Sequence, residues 1–180
     1  MAAVSDLCRI IVAITFLLSA AWKVRHSIGF SVVIAGAARR PLPAWSTRLG
    51  PLVVLLEILI ATALLGFPEV WVSSVAAALF LIAFSVFLAS ADSLANGCGC
   101  WQPVRRGDTS AAPYLARNAV LIVLTAVGAA QPRALSLASQ AVLVSIAVLP
   151  ALLVMEIPTV LELLRPADVR RVAPRLGTQR

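Results

Sequence analysis

Long apolar runs separated by short polar breaks occupy the chain from its first residues to about position 164. The first goes from Leu7 to Trp22, through Ile10, Ile11, Val12, Phe16, Leu17 and Leu18. The second goes from about Pro51 to Phe67, where Gly66-Phe67-Pro68-Glu69 marks a tight turn. The third extends from Val70 to about Ala91, and the fourth from Tyr114 to Ala130, closed by Gln131-Pro132-Arg133. The fifth covers Ala134 to about Leu164, with Pro150 and Pro158 expected to kink it. A bilayer core takes roughly 20 apolar residues per helical crossing. Backbone groups inside hydrocarbon must pair within a helix or a closed barrel. These runs are continuous, not ten-residue alternating segments, so they predict helices. The predicted fold class is all-α, a polytopic membrane helical bundle of four to five transmembrane helices.

The breaks carry their own signals. Residues Lys23 to Gly50 are mixed; His26 to Ala38 is mildly apolar and suits an interfacial or re-entrant helix. Arg39, Arg40, Pro41 and Pro43 stop it, because proline lacks an amide proton and disfavours helix before it. The longest polar stretch, Asp92 to Pro113, contains Asn96-Gly97-Cys98-Gly99-Cys100-Trp101. The first run resembles a signal peptide ending near Ser19-Ala20-Ala21, yet its start holds Asp6 and Arg9 instead of a basic cluster. It reads as a retained helix. The expected organisation is one transmembrane domain over residues 1–165 and a basic cytoplasmic tail over 166–180.

Composition agrees with a chain solvated by lipid. Hydrophobic residues make up 61% and charged ones 13%, with mean hydropathy +0.96. Soluble domains average roughly 45–50% apolar and about 25% charged residues. The net charge of +7 does not point to nucleic acid, because the basic residues lie between and after the apolar runs. With five spans, one side collects Lys23, Arg25, Arg39, Arg40, Arg48, Arg105, Arg106, Arg117 and the tail arginines 165, 170, 171, 175 and 180. Only Arg9 and Arg133 remain opposite. The positive-inside rule then places the tail, Cys98 and Cys100 on the cytoplasmic side and the amino terminus outside.

Chemistry concentrates in a few positions. Cys98 and Cys100 stand one residue apart between glycines, at the end of a membrane helix. Such a pair can close a small strained disulfide, and strained or exposed disulfides are oxidising and labile. The glycines supply dihedrals that a tight ring needs without steric cost. Two thiolates are too few for a closed zinc site, and no histidine lies nearby, so no metal is expected. Glu57 sits inside the second run, where an ionisable group must face a partner, water or the bundle interior. It reads as a proton relay or as the partner of a buried base. Arg117-Asn118 opens the fourth run and Lys23 ends the first. Both basic residues fit either headgroup anchors or groups beside the thiols that favour the thiolate. Asn118 is expected to bond another helix. Cys8 reads as a small apolar filler, and His26, the one histidine, as interfacial. There is no Ser-His-Asp set and no phosphate-cradling glycine loop.

Lys23 after the first span, Glu57 in the second, Cys98-Gly99-Cys100 after the third and Arg117-Asn118 opening the fourth together resemble the MauE family. Its members are membrane proteins of methylamine utilisation, similar in helical plan to the DoxX-like proteins. The resemblance covers roughly Leu7 to Ala130; Trp101-Gln102 stands where the family commonly has Phe-Gly. It implies help in maturing, processing or transporting the disulfide-rich small subunit of methylamine dehydrogenase, or another exported protein, beside a thioredoxin-like partner. Cys98 and Cys100 would then be the exchanging thiols, with Lys23, Glu57, Arg117 and Asn118 lining a pocket near them. A membrane quinone is a possible acceptor of the electrons. Work on an exported protein favours thiols on the oxidising side, whereas the charge pattern places them in the cytoplasm. Both hold if reducing equivalents cross the bundle. Two other functions compete. A non-catalytic scaffold would leave the thiols reduced and unreactive. A small-solute transporter would need Glu57 but not the thiols, and the chain lacks the inverted repeat that many transporters show.

Overall fold

The computed structural model describes residues 2–25, 49–67, 71–90, 112–130 and 137–163. They form five helices: α1 (Ala2–Arg25), α2 (Leu49–Gly66), α3 (Trp71–Ser90), α4 (Ala112–Ala129) and α5 (Leu137–Leu163). There is no strand among the described residues. The expected interfacial segment 26–38, Cys98, Cys100 and the tail 166–180 lie outside them. All five expected runs are helices, with ends shifted by a few residues. The largest extension is in α1, which begins at Ala2 instead of Leu7.

The termini follow local chemistry. Lys23 and Arg25 occupy the last turn of α1, where cations complement the negative end of the helix dipole. Pro51 and Pro113 stand in the first turns of α2 and α4, where a missing amide proton costs nothing. Phe67 N–H donates to Ala63 C=O at 3.0 Å and closes the last turn of α2. α5 runs as one helix through Pro150 and Pro158.

Four helices, α1, α3, α4 and α5, are long and apolar enough to cross a membrane. The apolar stretch of α2, Gly50–Gly66, is shorter, at about 26 Å by helical rise. It packs beside α1 from Glu57, which meets Lys23, to Leu64 and Leu65, which join the clusters around Val12 and Ile10. Successive helices run in opposite directions. Ser5 and Arg9 of α1 meet Gly128 at the end of α4, and Gln140 at the start of α5 meets Leu65 at the end of α2. At the other end Lys23 meets Glu57 and Phe84, and Asn118 meets Ser85.

α1 is the hub. It packs against α2, α4 and α5, and most of its length is enclosed while the other helices expose theirs. Val12, Ala13 and Phe16 meet Ile60, Ala61 and Leu64 of α2, Ala77 and Leu81 of α3, and Leu121 of α4. On its other side Ile10 and Ile11 pack on Ala147 and Ala151 of α5. Alanines at these contacts let the backbones approach, as small residues do in membrane bundles. Gly128 carries this furthest, since a Cβ there would lie 3.1 Å from the Arg9 amide nitrogen. A helix so placed is a member of the core. The outward faces, among them Leu55 and Leu59 of α2, Val86 of α3, Val123 of α4 and Leu149 and Leu153 of α5, are exposed leucines and valines. Such a surface suits hydrocarbon. The helical plan is compatible with a DoxX-like bundle.

Candidate functional site

The bundle interior holds charge at both ends, and the two ends differ. Near the end of α1, Thr15, Ser19 and Lys23 recur every four residues and so share a face. That face meets Glu57, eight residues into α2. Lys23 Nζ forms an ion pair with Glu57 Oε1 and donates to Ser19 Oγ at 3.0 Å. Ser19 Oγ donates to the same carboxylate oxygen at 3.3 Å. Lys23 and Glu57 are 2% and 3% exposed, so both charges are withdrawn from solvent and rely on each other. Lys23 also sits 5.7 Å from the centre of the Phe84 ring, within cation–π range.

The start of α4 closes this group. Asn118, fully buried, donates from Nδ2 to Ser85 Oγ of α3 at 3.1 Å. Ser85 in turn donates to Leu81 C=O. Arg117 Nη2 donates to Asn118 Oδ1 at 3.2 Å, and its side chain is buried. Of the two readings of Arg117, the geometry therefore disfavours a headgroup anchor. Lys23 likewise turns inward. Phe16, Phe80, Phe84 and Phe87 line up along one wall, with successive ring centres 5.6–6.4 Å apart.

Between these groups lies a partly open cavity to which all five helices contribute. Ser19, Glu57, Arg117 and Asn118 are its polar wall, and Phe16, Phe80 and Phe84 its aromatic one. Its enclosed part has room for roughly one or two water molecules. Just beyond, Leu88 packs against Tyr114 and Leu115. Ser90 and Ala112, the residues that flank the segment bearing Cys98 and Cys100, are thus at this same end.

The opposite end holds a second buried pair. Asp6 and Arg9, 2% and 3% exposed, form an i,i+3 contact at 3.3 Å. Ser5 Oγ donates to Gly128 C=O at 2.9 Å and ties the pair's turn to the end of α4. Here the negative end of the α4 dipole supplements Asp6.

The structure thus brings together four of the six expected site residues: Lys23, Glu57, Arg117 and Asn118. Cys98 and Cys100 lie outside the described residues. Ser19 and Ser85 are members that sequence reading missed. The spacing of Ser19 four residues before Lys23 was the available signal; Ser85 had none. Cys8 is buried in α1, as a small apolar filler would be. No group of three or more metal-ligating side chains occurs among the described residues.

A family model for the methylamine utilisation protein MauE matches residues 1–131. The chain belongs to the MauE family. The matched region spans α1 to α4 and contains all six expected site residues; among the described helices α5 lies wholly beyond it. With its apolar helices, this MauE-family chain is a multi-pass membrane protein in contact with the lipid bilayer. No curated protein and no solved structure matches it.

Proposed function

We propose that this MauE-family protein performs thiol–disulfide exchange at Cys98 and Cys100 in the inner or plasma membrane, serving the maturation of an exported protein. The small subunit of methylamine dehydrogenase is the substrate that the family suggests, and a thioredoxin-like protein the partner. One observation carries the reading. Lys23, Glu57, Arg117 and Asn118, from three helices, converge at the end of the bundle where α3 and α4 lead into the cysteine segment. Burying four such groups is expensive, and ionisable residues inside a membrane mark working sites far more often than fillers.

In the exchange, a thiolate of the reduced partner attacks one sulfur of the Cys98–Cys100 disulfide. The disulfide breaks, a mixed disulfide forms, and one cysteine leaves as thiolate. The partner's second thiol then displaces the other cysteine. The partner is oxidised to a disulfide, and Cys98 and Cys100 are left as the dithiol, reduced by two electrons and two protons. A membrane quinone, reduced to quinol, would restore the disulfide. The fixed cations Lys23 and Arg117 favour thiolate over thiol if the cysteines come near. The basic tail, 166–180, would hold the cytoplasmic side.

Cys98→Ser and Cys100→Ser, made singly, test this. Each is expected to abolish disulfide formation in the exported protein while the chain stays in the membrane. Maturation retained in both single variants would refute the exchange role and leave the scaffold.

A further inference from the structure

The two buried charge groups lie at opposite ends of the bundle, and what separates them is apolar. Along α1, Arg9 and Lys23 are fourteen residues, about 21 Å, apart. Between them Val12, Ala13 and Phe16 join Leu64 of α2, Ala77 and Leu81 of α3 and Leu121 of α4 in a cluster whose members are at most 5% exposed. Interiors packed in this way leave no file of water, and apolar constrictions exclude water even where it would fit. The cavity stops at this cluster. Phe16, Leu81 and Leu121 belong to both and form its floor. Thr15, also at the floor, donates to Ile11 C=O at 2.8 Å, and Thr125, one turn past Leu121, donates to Leu121 C=O at 2.7 Å. Both hydroxyl protons stay within their own helices and make no polar path through the cluster.

Beyond the floor, toward Lys23, the wall changes character. Ser19, Glu57, Arg117 and Asn118 all line the cavity there. The Asn118 amide carries two protons, and the bond to Ser85 uses one. Ionisable groups inside a membrane face partners or water-filled cavities, and water that reaches a buried ion pair lowers the cost of burying it. Hydrocarbon would satisfy none of these groups. The cavity is partly open, and with its floor closed the opening lies away from the Asp6–Arg9 end. We propose that it is a blind, hydrated vestibule, which takes small water-soluble molecules from the Lys23 end of the bundle only. Whatever enters also leaves by that face, because passage between the two ends is closed within the described helices. The vestibule is independent of the thiol-exchange reading: it follows from the packing of α1 to α5 and holds whether or not the cysteines exchange.

The test is silver-ion access in right-side-out and inverted membrane vesicles. The silver ion is close to water in size, does not cross lipid, and replaces the proton of a thiol, which then no longer takes up maleimide. Single cysteines are placed in the full-length chain carrying Cys8→Ala, Cys98→Ser and Cys100→Ser. Arg25→Cys and Val4→Cys, exposed at the two ends of α1, report the face to which silver is added. Ser19→Cys and Thr15→Cys report the cavity, and Ala13→Cys, fully buried, the apolar cluster. Maleimide is added after unfolding in dodecyl sulfate. Ser19→Cys and Thr15→Cys are expected to lose maleimide labelling when silver is on the face that protects Arg25→Cys, and to keep it when silver is on the face that protects Val4→Cys. Ala13→Cys should keep it in both cases. Thr15→Cys repeats the reading if Ser19→Cys disturbs the Lys23–Glu57 pair. Protection of the cavity positions from both faces would make the cavity part of a pore, and protection from neither a dry pocket; either overturns the proposal, as does protection of Ala13→Cys.

Discussion

Replacing Lys23 by methionine keeps much of the side-chain volume and removes the charge that compensates Glu57. Both side chains are buried and Ser19 bridges them, so Lys23→Met leaves a buried carboxylate without that cation. Breaking a buried ion pair from one side costs about 3–5 kcal/mol, or roughly two to three and a half powers of ten in the folding equilibrium. Replacing both partners removes the stranded charge, and such swaps are often neutral or even stabilising. Lys23→Met/Glu57→Leu should therefore be far closer to wild type than Lys23→Met alone. The assay is reversible unfolding in mixed micelles of mild detergent and dodecyl sulfate, followed by helical circular dichroism. A double-variant cycle gives the coupling energy, which should reach several kcal/mol in favour of the pair. If the two single costs simply add, Lys23 and Glu57 do not depend on each other and the buried site is misread.

Three further predictions follow from single contacts. Gly128→Val places a branched side chain where even a Cβ meets the Arg9 backbone at 3.1–3.2 Å, so α1 and α4 must separate; a loss of about 1–3 kcal/mol is expected in the same unfolding assay. Asn118→Leu removes the bond from α4 to Ser85; measured interhelical bonds predict a loss of about 0.6 kcal/mol and at most about 1.7, and a loss well above that would mean Asn118 does more than join helices. Arg9→Met leaves Asp6 buried without its partner and should destabilise the fold, whereas Asp6→Asn/Arg9→Met should recover stability; thermal aggregation of the purified protein reads both.

The helices were legible because lipid imposes one rule. A backbone in hydrocarbon must bond within itself, so long apolar runs have a single outcome, and all five became α1 to α5. Boundaries were less legible. The first run was expected to start at Leu7, just after Asp6, yet Asp6 lies inside α1, which begins at Ala2, and there it pairs with Arg9. The site was partly legible for the same reason. Glu57, Lys23 and Asn118 stood out because membranes penalise lone polar groups, but that penalty does not say which residues satisfy one another. Ser85 illustrates the gap. A serine in a transmembrane helix can bond its own carbonyls, and here it does so with Leu81; only the packing of α3 on α4 brings Asn118 to it as well. That α1 is the hub was equally hidden, because every span is apolar and periodicity alone does not rank them.

The redox state of Cys98 and Cys100 in living cells tests the central claim most directly. Intact cells are treated with a membrane-permeant maleimide with and without prior reduction, and the alkylated protein is weighed by mass spectrometry. Cys8, buried in α1, provides the internal reference for an unreactive thiol. Thiol exchange predicts a population in which Cys98 and Cys100 take up two maleimides only after reduction, and the loss of that population in either serine variant. Two cysteines that are fully alkylated without reductant, in every growth condition, would contradict exchange and make the protein a membrane scaffold.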